Sequence, residues 1–211
     1  MKQKSGERTL LASVLLSSPG PVVLGIALFF GRSSTQLADF IRRTSELVAI
    51  IVSWIVFRIV HKNDEFDVSR KGKLERAVNS CVGAAMCFSG AAMIYIALFS
   101  SDTETGNVIP GLVIALLGVI TNTWFWLRYK KLNNEKSDAI LLAQSRLYRA
   151  KSLVDTCVVI ALACVTVFPG TPAAGYVDLC GSIIVAVYLI FCGITTIHGK
   201  RNYEHVNSEK T

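Results

Sequence analysis

The chain's hydrophobic residues fall into six long runs, at about 10–30, 36–60, 78–100, 108–128, 139–168 and 175–197. Each is near the roughly 20 residues that a helix needs to cross a bilayer. No soluble core needs that arrangement. Charge is correspondingly scarce: 18% of the 211 residues are charged, whereas 52% are hydrophobic. A soluble domain usually carries about 25% charged residues. The expected architecture is therefore all-α, a polytopic membrane bundle of six transmembrane helices. The lipid bilayer is its first partner.

The loops alternate in charge. Lys2, Lys4 and Arg8 precede the first run, and Pro19 and Pro21 interrupt it. Lys62, Arg70, Lys71, Lys73 and Arg76 follow the second run, and Arg128, Lys130, Lys131 and Lys136 follow the fourth. Lys200, Arg201 and Lys210 follow the sixth. The intervening loops, "GRSSTQ", "SSDTETGN" and "PGTPAAG", hold one base between them. Lys and Arg collect on the cytoplasmic side, so both termini are expected in the cytoplasm, with a tail at 1–9, a transmembrane domain at 10–198 and a short tail at 199–211. The net charge of +7 then reflects topology, and no nucleic-acid partner is implied. The six cysteines lie in apolar runs without a CxxC pair, so no Cys metal site is expected. No catalytic residues and no cofactor are assigned. The reading is not that of an enzyme.

Two runs carry charges where lipid-facing helices have none. In the second, Asp39, Arg42, Arg43 and Glu46 recur at spacings of three, four and seven and project from one face. Glu46 is about 10 residues from the outer end, or about 15 Å at 1.5 Å per residue. In the fifth run, Arg146, Arg149, Lys151 and Asp155 lie at overlapping depth. Each would cost roughly 2.5–3.5 kcal/mol facing lipid on insertion scales. Charges at that depth must face one another or a wet cavity, with Glu46 to Lys151 as the natural pair. Two readings follow. The pairs are packing salt bridges of a bundle core, or they mark a substrate or proton path.

The order of segments resembles the transmembrane domain of the cation diffusion facilitator family, proton-coupled exporters of divalent metals. The likeness covers about Gly31 to Ile197. "QLADFIRRTSEL" is similar to the family's second helix, LADALHSLSDVL. "DEFDVSRKGKLERAV" is similar to DEEHPYGHGKAERLA, with Gly72, Lys73 and Glu75 in register. "TNTWFWLRY" resembles VNLLLYRY through Asn122 and Arg128, and "LLAQSRLYRAKSLVDTCVVIAL" resembles LLADALHYRSDVLTNAAVLIAL. "GYVDLCGSIIVAVYLI" matches the last helix through Asp178. The resemblance implies a homodimer, a small cation or proton as substrate, and a metal site between helices two and five. The positions that match the family's ligands are Arg42, Glu46, Leu147 and Lys151, with Asp39 retained one turn earlier. One carboxylate and two cations there do not suit zinc, and the loop histidines are replaced around Asp67, Ser69 and Lys71. The family's C-terminal cytoplasmic domain has no counterpart after Gly199. A small cation, a proton or a small charged solute is therefore the expected substrate, with Asp39, Arg42, Glu46, Leu147, Lys151 and Asp155 as the transport site. The alternative is a transport-inactive relative acting as a membrane partner or regulatory subunit.

Overall fold

The computed structural model describes residues 2–30, 34–62, 68–99, 108–135, 137–167 and 172–198. The uncharged and acidic loops, the tail from 199 onward and the side chains of Asp39 and Asp178 lie outside the described residues. Every regular element among them is an α-helix: α1 (Lys2–Ser17), α2 (Pro19–Phe30), α3 (Ser34–Lys62), α4 (Val68–Phe99), α5 (Val108–Glu135), α6 (Ala139–Val167) and α7 (Pro172–His198). The segments α1 and α2 divide the first apolar run, which leaves six helices in the bundle. Among the described residues, three helices, over Phe40–His61, Ser69–Phe99 and Leu179–His198, are long and apolar enough to cross a membrane.

Local sequence explains where these helices start and stop. Pro19 and Pro21 cannot donate the backbone hydrogen bonds that would continue α1. The turn before them closes instead through Ser18, whose N–H donates to Val14 O at 3.0 Å and whose hydroxyl donates to Leu15 O at 3.0 Å. Asp138 caps α6. Its Oδ1 accepts the Ile140 N–H at 2.9 Å and the Leu141 N–H at 3.2 Å.

Two boundaries differ from the sequence reading. Residues 2–9, expected as a tail, form the first turns of α1. Arg128 Nη2 donates to Ser5 Oγ at 2.8 Å, and Glu7 pairs with Arg58 at 3.4 Å. The loop after the second run is helical from Val68, ten residues before the apolar stretch. There Glu75, Val78, Asn79 and Val82 are buried at helical spacing, while Arg70, Lys71, Lys73 and Arg76 stay exposed. Apolar content alone marks the lipid-facing length of a helix, so an amphipathic extension beyond it is missed.

The core runs along the bundle axis. Phe125, Tyr129 and Tyr148 stack at its centre, with ring centroids 5.0–6.1 Å apart. Tyr129 is fully buried, and its hydroxyl donates to Ser13 Oγ at 2.8 Å, whereas Trp124 faces outward to the extent of 57%. The helices α4 and α7 meet through small residues. A Cβ added at Gly83 would lie 2.6 Å from Gly193 O, and one at Gly193 would lie 2.6 Å from Gly83 O. Small residues let helix backbones approach closely within a membrane bundle.

Substituting Gly193→Val should therefore cost about 1–3 kcal/mol by overpacking. Gly72→Ala, with nothing within 4 Å of the added methyl, should be neutral or gain up to about 1 kcal/mol. Thermal unfolding in detergent checks the pair; equal midpoints for the two variants would show that α4 and α7 do not pack as described.

Candidate functional site

The charged face of α3 meets α6 through long side chains. Lys151 Nζ lies 3.2 Å from Glu46 Oε2, so the pair expected from depth alone is formed. Glu46 Oε1 lies 3.8 Å from Arg42 Nη1 and accepts the Ser89 hydroxyl at 2.8 Å. Glu46 thus has contacts from α3, α4 and α6, and only 5% of its side chain is exposed. A carboxylate desolvated to that degree needs such partners, since each unpaired buried ion costs several kcal/mol. Ser89 was not among the expected site residues; a hydroxyl at the depth of Glu46 was the available signal.

Two further contacts join the same helices. Two turns along α3, Ser53 Oγ accepts the Gln144 Nε2 amide at 2.7 Å. Two turns beyond that, His61 Nε2 lies 3.2 Å from Asp138 Oδ2, and His61 Nδ1 lies 3.0 Å from Phe57 O. A neutral imidazole has one N–H and can donate to only one of these acceptors. His61 was not among the expected site residues; its partner Asp138 stands directly before an apolar run, as helix caps do.

A cavity of about 490 Å³ opens beside the Glu46–Lys151 pair. It is lined by the α1–α2 break at Ser17, Gly20 and Pro21, by Arg42, Arg43 and Glu46 of α3, by Gly118 and Asn122 of α5, and by Tyr148, Lys151 and Asp155 of α6. Asp155 Oδ2 accepts the Asn122 Nδ2 amide at 2.6 Å. The carboxylate reaches α5 because Gly118 has no side chain; a Cβ there would lie 2.6 Å from Asp155 Oδ2. Lys151 Nζ sits 5.2 Å from the centroid of the Tyr148 ring.

Of the six expected site residues, Arg42, Glu46, Lys151 and Asp155 line this cavity. Leu147 does not. It is completely buried in the hydrophobic core, one turn from Lys151. Asp39 belongs to α3, and its side chain lies outside the described residues. No group of three or more His, Cys, Asp and Glu positioned to hold a metal ion occurs among the described residues.

An all-helical bundle with bilayer-length apolar helices and paired charges enclosed between them is an integral membrane protein of the transport type. The family model for the cation efflux transmembrane domain matches residues 10–198, and the chain belongs to that family of cation transporters. No curated protein matches it.

Asp138 stands just before α6, outside the apolar run, and gives the contact between α3 and the start of α6 a pH dependence. Burial would raise its carboxyl. The hydrogen bond and charge of His61, with the Leu141 and Ile140 N–H groups, outweigh burial and hold it below the usual carboxylate range. Because folding lowers this pKa, the stabilisation is complete above the unfolded value of about 4 and is lost as pH falls through the folded value. Asp138→Asn keeps a capping side chain but not the charge. Its stability deficit relative to the parent chain should be present at about pH 6 and shrink below about pH 4. Unfolding midpoints in detergent across that range test this, and a deficit independent of pH would refute it.

Proposed function

We propose that the protein is a secondary transporter whose mid-membrane site works around a built-in ammonium group instead of a set of metal ligands. The observation that carries this reading is the 3.2 Å pair of Lys151 with buried Glu46 beside a cavity of about 490 Å³. A proton or cargo cation that neutralises Glu46 would release Lys151 and loosen α3 from α6. Rocking of helices about a fixed midplane site would then expose the cavity to each side in turn. Ordinary zinc binding is disfavoured because Arg42 and Lys151 are cations beside one engaged carboxylate, and Leu147 offers no donor. Proton coupling and a homodimer, both implied by the family resemblance, belong to the same proposal.

Proteoliposome flux tests it. Metals, ammonium, protons, amino acids and polyamines form the panel, and at least one should move above the rate in empty vesicles. Lys151→Asp should also raise zinc binding at least tenfold by calorimetry, since it replaces the competing ammonium with a carboxylate near Glu46 and Asp155. No flux for any solute would favour a second reading, a transport-inactive membrane partner. The engagement of Glu46 by Ser89, Arg42 and Lys151, which ties three helices together, is what supports that alternative.

Six crossings with both termini cytoplasmic follow from the distribution of Lys and Arg. A reporter fused after Thr211 should then read cytoplasmic; an external signal would reverse the orientation.

A further inference from the structure

We infer that the cargo is a small zwitterion, bound by its ammonium group at Asp155 and by its carboxylate at Lys151. The inference rests on the transporter reading and names the substrate class of the same cavity.

Lys151 and Asp155 are one helical turn apart on α6 and both line the cavity. Residues at that spacing have their Cβ atoms about 5–6 Å apart and commonly pair. Here they do not: Lys151 pairs with Glu46 across the bundle, and Asp155 bonds Asn122 on α5. Two opposite charges therefore stand side by side on one wall, each turned to a different neighbouring helix. Asp155 Oδ1 takes no hydrogen bond or ion pair among the described residues, although Oδ2 is engaged at 2.6 Å. It is an open acceptor on a cavity wall, and a carboxylate oxygen in that position suits an N–H donor of an ammonium group. Lys151 has three donors and uses one on Glu46. Its remaining N–H groups suit a carboxylate.

At about 490 Å³ the cavity falls in the range for small-molecule sites.

The experiment uses the full chain and separates binding from flux. Alanine, serine and lysine are each compared with the decarboxylated amine (ethylamine, ethanolamine, cadaverine) and with the N-acetyl derivative. Calorimetry on detergent-solubilised protein reads binding, and counterflow in proteoliposomes reads transport. At least one amino acid should bind, with its amine and its N-acetyl form at least tenfold weaker. Asp155→Asn, which is isosteric, should lower amino-acid binding at least tenfold. Gly72→Ala, on an open face of α4, should change nothing. An amine bound as tightly as its amino acid overturns the inference and leaves a cation carrier. Undiminished amino-acid binding by a folded Asp155→Asn chain, or no binding of any amino acid, also overturns it. Binding without flux supports the zwitterion site while removing the transporter reading.

Discussion

Three polar contacts between α3 and α6 hold together the two helices that carry the candidate site. Lys151 with Glu46, Gln144 with Ser53 and His61 with Asp138 recur about every two turns along the antiparallel pair. In hydrocarbon, helices gain little from burying apolar surface against each other, and packing and interhelical hydrogen bonds decide who pairs with whom. A polar contact every two turns fixes both partner and register. A slip of one residue would leave Glu46 and Lys151 buried without each other, at several kcal/mol per ion. The cavity exists because long side chains, rather than close backbones, span this interface. The opposite solution holds α4 to α7, where Gly83 and Gly193 let the backbones touch.

The site departs from a metal centre in kind. Its one carboxylate at the position matching the family's ligands is engaged by a hydroxyl, a guanidinium and an ammonium. The leucine at another such position is in the core. What remains open on the cavity wall is an acid one turn further along α6, beside the lysine that replaced a ligand. The break between α1 and α2 lies at the same cavity, so the first helix contributes more than a lipid-facing wall.

Much of this was legible in the chain. The six runs and the alternation of basic loops gave the helical membrane architecture. Depth and helical spacing gave Glu46 and Lys151, because a buried charge must find its opposite at similar height. The contacts of Ser89, Asn122 and His61 were not found that way. Each is a neutral or weakly charged group whose role depends on which helix lies beside it. Likewise Tyr129 sits at the end of an apolar run, as belt residues do, but its hydroxyl finds Ser13 inside the bundle.

By itself the sequence determined what must be hidden and at what depth: apolar length, charge placement and the proline break are properties of a single helix. Only the tertiary structure decided which hidden groups meet, which of them stay open to a cavity, and that Leu147 faces the core while Lys151 does not. Those outcomes depend on the rotation and neighbours of each helix, and periodicity within one helix cannot specify the orientation of another.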